Sequence, residues 1–244
     1  MSPIPPRSSS QRLQWSIRDA VAGFALAVLL VGLVGTQALR AWPPSAEWQV
    51  ALSYLAAWLP MLGAVLVASY LHGRRSLALD FGLRFSWLDI LYGLTLGFFL
   101  RSIVTLIEIL GYGGPAGGAV RFGPVDYNLV WMLLAVVAPI LVAPVIEELF
   151  FRGLLQRSVL NASKSSIRGS SRFPMVLAVA MSSITFAVVH MLQTGGGAQT
   201  VVVGLATLIL GIGLGTLAAI TGRLGGAIIA HIVFNGLGVL GTLL

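Results

Sequence analysis

The chain has 244 residues, of which 57% are hydrophobic and only 9% are charged, and it contains no cysteine. A soluble globular protein carries about a quarter of its residues as charges, so this composition predicts an integral membrane protein. The lack of cysteine excludes a disulfide framework, a thiolate zinc site and a cysteine nucleophile. The net charge of +7 would suggest nucleic acid in a soluble protein, but here we expect membrane lipid as the partner and no nucleic acid.

The chain divides into a short polar arm and one long apolar domain. Residues 2–10 include three prolines and four serines, which predicts a disordered, basic arm over residues 1–19. Residues 20–244 are predicted to form a single all-α, polytopic transmembrane domain of about seven spans, because each span needs about 20 mostly apolar residues. The predicted spans are 20–39, 48–71, 90–110, 128–157, 173–192, 200–222 and 224–244.

Basic residues occupy alternate connections between the predicted spans. Cytoplasmic loops carry an excess of lysine and arginine, so these segments are predicted to face the cytoplasm. The N-terminus is then cytoplasmic, the C-terminus is outside, and the protein crosses the cell membrane several times. The basic residues of these segments are Arg7, Arg12, Arg18, Arg74, Arg75, Arg84, Arg157, Lys164, Arg168 and Arg172.

Several ionisable residues lie inside the predicted spans, where each costs about 2.5 to 3.5 kcal/mol on insertion scales. Such residues require a partner or a function. Arg101 and Glu108 are seven residues apart on one helix face, and we expect them to pair with neighbouring helices in a structural role. The others are Glu147, Glu148, Arg152, His190 and His231, and the uncharged Asn235 follows His231 by one turn.

The fourth span contains two adjacent carboxylates with different expected partners. Glu148 and Arg152 are four residues apart, so they share a helix face and neutralise each other. Glu147 points about 100° away and lacks that partner, which leaves its carboxylate free to accept and return a proton. In the alternative interpretation, the helix ends near Ile146 and both acids are solvated at the cytoplasmic interface.

Two later spans carry histidines with a second residue one turn away. Phe186 and His190 share a face in the fifth span, as His231 and Asn235 do in the seventh. Each pair alone is more typical of helix packing, but together with Glu147 they predict convergence on one water molecule.

Helical rise tests this convergence. It places Glu147 about 15 Å from the cytoplasmic end of its helix and His231 about 12 Å beyond Arg223. His190 lies about 27 Å beyond Arg172, so convergence requires the fifth helix to begin its crossing near Val179.

Three known intramembrane protease chemistries are excluded or disfavoured by the sequence. There is no His-Glu-x-x-His zinc motif, and no predicted span contains an aspartate for an aspartyl dyad. Ser182 and Ser183 lack a Gly-x-Ser-Gly setting, and their spacings to His190 give no sign of a nucleophile and base in contact.

The remaining pattern resembles the CAAX prenyl endopeptidase and bacteriocin-processing family, also called the abortive-infection family. The resemblance rests on Glu147-Glu148-x-x-x-Arg152, Phe186-x-x-x-His190 and His231-x-x-x-Asn235, in this order on three hydrophobic segments. It implies an intramembrane endopeptidase in which Glu147 is the general base and His190 helps to polarise a water molecule. His231 and Asn235 would donate hydrogen bonds to the oxyanion, Glu148 and Arg152 would support the site, and Phe186 would pack.

The resemblance leaves cofactor and substrate open. A zinc-like ion on Glu147, Glu148, His190 and His231 is possible, but we expect no cofactor because the oxyanion role gives Asn235 a purpose. The substrate is expected to be a membrane-associated CAAX-like, bacteriocin or signal-type peptide cut near the cytoplasmic side. Alternatives are a non-catalytic immunity or scaffold protein of the same family, a small proton-coupled transporter, and a structural helix bundle.

Overall fold

The computed structural model describes residues 15–35, 46–113, 128–166, 172–194 and 196–243, and every regular element in these ranges is a helix. Most of the predicted disordered arm lies outside the described residues, as do Arg7, Arg12 and Arg168. The helices are α1 (Ile17–Val34), α2 (Ala46–Tyr70), the short α3 (Leu77–Asp80), α4 (Trp87–Tyr112), α5 (residues 129–166), α6 (Phe173–Leu192), α7 (Gly197–Thr221) and α8 (Gly225–Leu243).

The prediction of an all-α bundle with about seven spans is confirmed. Among the described residues, six helices are long and apolar enough to cross a membrane, and a shorter apolar helix at Gly225–Gly241 follows them. Helices α1, α2, α4 and α7 begin two or three residues earlier than predicted, and α1 and α4 each start with a polar capping box. Ser16 pairs with Asp19 at the start of α1, and Ser86 pairs with Asp89 at the start of α4.

Helix α5 lies at the centre of the bundle and packs against α1, α2, α6, α7 and α8. It contains two stretches of wide, π-type turns, Leu133–Val142 and Glu148–Leu155. In such turns an N–H bonds the carbonyl five residues earlier. The N–H groups of Ala143 and Gln156 do this with the carbonyls of Ala138 and Phe151. The alternative in which this helix ends near Ile146 is therefore wrong, because α5 continues to Ser166.

Small residues let α7 approach its neighbours closely. A Cβ atom added at Gly211 would lie 3.0 Å from Ser183 Cα on α6, and one added at Gly215 would lie 2.8 Å from the Gln156 side chain of α5. The side chains of Arg152 and Gln156 approach the carbonyls of Gly211 and Gly215 respectively. The glycines therefore allow polar side chains of the central helix to bond the backbone of α7.

The connections rich in basic residues meet at one end of the bundle. His72 Nδ1 lies 2.7 Å from Asp19 Oδ1, which joins the start of α1 to the segment after α2. The N–H of Leu224 donates to the Gly82 carbonyl at 2.8 Å, and Arg157 donates to the Gly222 carbonyl at 2.9 Å. The segments before α1, between α2 and α4, and between α7 and α8 thus share one side of the bundle, as the alternating topology predicts.

Asp80 holds the connection between α2 and α4 together at this end. Its buried carboxylate accepts hydrogen bonds from Ser69 Oγ at 2.8 Å and from Arg74 Nε at 2.9 Å. Burial alone raises the pKa of Asp80, but the hydrogen bonds from Arg74 and Ser69 outweigh it and hold the pKa below its ordinary value.

Candidate active site

Glu148 and Arg152 form the buried centre of the site, within the second π-type stretch of α5. Glu148 is fully buried, and Arg152 is 1% exposed. Glu148 Oε1 accepts a hydrogen bond from Arg152 Nη1 at 2.8 Å, so the predicted pair on one helix face is confirmed. Arg152 also lies over the Phe186 ring, with its guanidinium carbon 4.6 Å from the ring centre. The pair therefore neutralises itself inside the bundle and is held by α6.

His231 connects this ion pair to the neighbouring carboxylate. Its Nδ1 lies 2.9 Å from Glu148 Oε1, and its Nε2 lies 3.8 Å from Glu147 Oε2. An ionised carboxylate only accepts hydrogen bonds, so His231 Nδ1 donates to Glu148 and the ring orientation is fixed. The opposite nitrogen therefore faces Glu147. Because His231 is on α8 and the two carboxylates are on α5, packing of these helices brings the groups together.

Glu147 differs from Glu148 in both exposure and partners. Its side chain is 13% exposed, whereas the side chain of Glu148 is not exposed at all. Among the described residues, Glu147 forms no ion pair with an arginine, and its near neighbour is His231 Nε2. The carboxylate predicted to be free of a permanent counter-charge is thus the one that lies at the accessible edge of the network.

His190 lies one turn beyond Phe186 on α6. Its Nδ1 donates to the Phe186 carbonyl at 2.9 Å, so a neutral ring carries its lone pair on Nε2. Within the described residues His190 forms no hydrogen bond or ion pair with Glu147, and it is connected to the site through the Phe186 ring. The ring centres of Phe186 and His190 are 4.4 Å apart, and those of Phe186 and His231 are 5.9 Å apart.

The position of His190 agrees with the helical rise, which predicts that His190 lies farther from the cytoplasmic end of its helix than Glu147 and His231 do from theirs. Helix α6 begins at Phe173, and Ser182 Oγ donates to the Phe151 carbonyl at 2.8 Å. Phe186, one turn later, contacts Arg152, and His190 follows a further turn along. Phe186 therefore lies at the level of the ion pair on α6.

Asn235 lies one turn after His231 on α8. Its Nδ2 donates to the Pro139 carbonyl of α5 at 2.8 Å. An amide nitrogen carries two hydrogens, so a second N–H is available for another acceptor. Sequence reasoning missed a comparable contact, in which Tyr54 Oη of α2 donates to the Leu134 carbonyl at 3.3 Å. The signal in the sequence is the pair of prolines at 139 and 144, inside an otherwise continuous helix.

The serines and aspartates have structural partners. Ser182 donates to the Phe151 carbonyl, and Ser183 donates to the Val179 carbonyl at 2.7 Å. Helix α4 begins before the predicted span and so includes Asp89, which binds Arg223 Nη2 at 2.9 Å and the N–H of Ser86 at 2.7 Å. Asp89 thus caps the start of α4 and joins it to the connection between α7 and α8.

The arrangement does not form a metal-binding group in the part of the chain that the structure describes. Glu148 Oε1 is shared by Arg152 and His231, and His190 Nδ1 bonds the Phe186 carbonyl of its own helix. Glu148 Oε2 is buried without a hydrogen-bond partner, but no set of three or more His, Asp or Glu side chains is grouped around one point. The four residues considered as zinc ligands therefore do not fit a metal ion in this geometry.

The fold and site define a multi-pass helical membrane protein with a buried carboxylate and histidine cluster. Residues 129–237 match the family described as type II CAAX prenyl endopeptidase Rce1-like. The match covers α5, α6 and α7 and most of α8, and it includes all seven predicted site residues. This segment of the chain is therefore similar to a family of proteases, as the three sequence motifs predict. No curated protein and no solved structure matches the chain.

Proposed function

We propose that the protein is an intramembrane endopeptidase in which Glu147 activates a water molecule for attack on a peptide carbonyl. One observation carries this proposal: of two adjacent intramembrane carboxylates, Glu148 is fully buried and paired, whereas Glu147 is partly exposed and has no arginine partner among the described residues. Glu147 is therefore available for proton transfer, while its neighbour is committed to structure.

In this mechanism Glu147 takes a proton from water as the water oxygen attacks the carbonyl carbon. It then returns the proton to the amide nitrogen as the carbon–nitrogen bond breaks. His190 would orient the water through Nε2, since its Nδ1 already donates to the Phe186 carbonyl. Among the described residues His190 and Glu147 form no hydrogen bond with each other, so this role requires a water molecule that reaches both side chains.

His231 and Asn235 would stabilise the oxyanion. With Nδ1 bonded to Glu148, a protonated His231 ring offers its Nε2–H on the side of Glu147. Asn235 offers the amide hydrogen that the Pro139 carbonyl does not use. Fixed donors of this kind lower the energy of the transition state because they need no reorganisation. Glu148, Arg152 and Phe186 would hold these groups in place.

We place the end of the bundle that carries Arg74, Arg84 and Arg157 in the cytoplasm, following the positive-inside rule. Glu147 precedes Arg157 by ten residues, or about 15 Å of helix, so cleavage would occur near this side. Reporter fusions test the orientation. A reporter active only in the periplasm should give no signal when fused after residue 165 and a strong signal when fused at Leu244. The reverse pattern would overturn the topology.

The substrate is proposed to be a membrane-associated CAAX-like, bacteriocin or signal-type peptide. The direct test is cleavage of a lipid-anchored reporter peptide by the purified protein and by its Glu147→Gln variant. The amide keeps the shape of the side chain but cannot take a proton, so turnover should fall by about 10² to 10⁴. Glu47→Gln makes the same chemical change at the start of α2 and should leave turnover unchanged. Wild-type turnover by Glu147→Gln would contradict the mechanism.

The metal-independent form of the mechanism makes its own prediction. Exhaustive chelation should leave cleavage largely unchanged, whereas His231→Gln and Asn235→Ala should each lower turnover by roughly 10² to 10³, as lost oxyanion donors do. Elemental analysis of active protein provides an independent check. One tightly bound zinc ion per chain, lost and regained together with activity, would show that a metal is required.

A further inference from the structure

Two prolines interrupt the hydrogen bonding of α5 just before Glu147. Pro139 and Pro144 are five residues apart, and neither has a backbone N–H to donate. Pro139 lies within the π-type stretch Leu133–Val142, and the N–H of Ala143 bonds the Ala138 carbonyl five residues earlier. In this register Pro139 fails to supply a donor to the Leu134 carbonyl. The same register, continued by one residue from Ala143 into the turn Ala143–Glu147, would assign the Pro139 carbonyl to Pro144, which again has no N–H.

Both of these carbonyls receive a donor from another helix. Tyr54 Oη of α2 donates to the Leu134 carbonyl at 3.3 Å, and Asn235 Nδ2 of α8 donates to the Pro139 carbonyl at 2.8 Å. A backbone carbonyl without a donor is costly in a bilayer, where no bulk water replaces the missing bond. The two side chains therefore supply the donors that the prolines lack.

The same contacts select the pitch of the helix. With ordinary α-helical bonding, four residues back, the prolines would instead leave the carbonyls of Ala135 and Ile140 without a donor. The carbonyls that Tyr54 and Asn235 bond are those left free only by the wider, five-residue pitch. A change of pitch before Pro144 would rotate the following segment and change the direction in which Glu147 projects.

We propose that Tyr54 and Asn235 are positioning residues that hold α5 in its wide conformation and so set the orientation of Glu147. Tyr54 is well suited to this role, because its ring stacks on Trp58 with centres 4.4 Å apart and planes inclined by 9°. The catalytic consequence rests on the proposed function, whereas the hydrogen-bonding role does not. For Asn235, positioning is a second role beside the proposed oxyanion contact.

The experiment restores the missing backbone donor. Tyr54→Phe removes only the hydroxyl, and Pro139→Ala gives residue 139 an N–H that can bond the Leu134 carbonyl. Hydrogen exchange over residues 129–147 and thermal unfolding in detergent are measured for the wild type, both single variants and the double variant. We expect Tyr54→Phe to reduce protection and lower the melting temperature in the wild-type background but not in the Pro139→Ala background. Tyr70→Phe, at the exposed end of α2, should change neither measurement.

Activity provides the second measurement. Tyr54→Phe should lower kcat by roughly 10- to 100-fold, as a small misplacement of a catalytic group does, with KM unchanged. The double variant Tyr54→Phe with Pro139→Ala should recover most of this loss. Equal losses of protection in both proline backgrounds would overturn the proposal. If protection is recovered but the wild type cleaves no peptide, the proposed function fails and the positioning role stands.

A second set of variants tests the proposal if Pro139→Ala does not fold. Pro144→Ala restores a donor for the Pro139 carbonyl, so it should restore the protection lost in Asn235→Ala. If turnover stays low while protection returns, Asn235 positions the helix and also acts in the oxyanion contact. If protection does not return, the proposed role of Asn235 in holding the helix is wrong.

Discussion

Within the described helices, α4 and α5 each carry a buried pair of arginine and glutamate. Arg101 and Glu108 are 8% and 5% exposed, and Arg152 and Glu148 are 1% and 0% exposed. In both cases a helix carries opposite charges that bond each other across one or two turns. Burying each pair in the membrane costs a similar desolvation free energy, so burial alone does not distinguish the two pairs.

The two pairs differ in what surrounds them. Arg101 bonds Glu108 of the same helix and lies over the Phe234 ring of α8, 5.4 Å from its centre. Glu148 is shared with His231, and next to it in sequence is Glu147, a second carboxylate that pairs with no arginine in the described part of the chain. The comparison teaches that an additional carboxylate and histidine, and not the buried ion pair itself, distinguish the site in which we propose proton transfer.

The largest effect on stability is expected when Glu148 is neutralised. Glu148→Gln leaves the Arg152 charge buried without a counter-ion, which should cost about 3 to 5 kcal/mol. We therefore expect a low yield of folded protein and loss of activity, measured by size-exclusion recovery, thermal unfolding in detergent and peptide cleavage. Glu147→Gln, on the adjacent residue, should lose activity while keeping a wild-type melting temperature. Equal stability of the two variants would contradict the division of roles between the carboxylates.

Glu108→Gln should destabilise the protein less than Glu148→Gln does, and it should not change the rate of peptide cleavage. Arg101 keeps its contact with the Phe234 ring, and both side chains are slightly more exposed than those of the α5 pair. We expect a loss of about 1 to 3 kcal/mol in the free energy of unfolding. The kcat/KM of the protein that remains folded should equal that of the wild type. A specific loss of kcat in folded Glu108→Gln would give the α4 pair a catalytic role.

Hydropathy predicted the number of spans well, because a bilayer requires long runs of apolar residues. It placed the starts of α1 and α4 three residues too late, since their first turns contain the charged residues of capping boxes. Asp19 and Asp89 lower the local hydropathy although they belong to the helices. The alternative interpretation, in which the helix ends near Ile146, was wrong for a related reason: Arg152 neutralises Glu148 within the bundle, so this charge does not need solvent.

Contacts within one helix could be predicted for the site, but contacts between helices could not. Four-residue spacing was enough to predict the pairing of Glu148 with Arg152. The contact of His231 with Glu148 depends on how α8 packs on α5, and the position of His190 relative to Glu147 depends on how α6 packs on α5. Arg101 and Glu108 were expected to pair with neighbouring helices; Arg101 does contact the Phe234 ring of α8, and it also reaches two turns along its own helix to Glu108.

The smallest predicted effect concerns Asp80, which lies outside the membrane spans and has no part in the proposed chemistry. Hydrogen bonds from Arg74 and Ser69 hold the pKa of Asp80 below its ordinary value of 3.8 despite burial. A carboxyl group with a lowered pKa in the folded state stabilises the protein above its unfolded pKa and loses that contribution as the pH falls through its folded pKa. Because Arg74 is 39% exposed and its charge is screened, we expect Asp80→Asn to cost about 1 kcal/mol or less at neutral pH. The difference in melting temperature between the wild type and Asp80→Asn should therefore stay constant from pH 7 to about 5 and shrink below pH 4. A difference that grows on acidification would show that the folded protein favours the protonated form of Asp80, and the hydrogen-bonding account of this connection would be wrong.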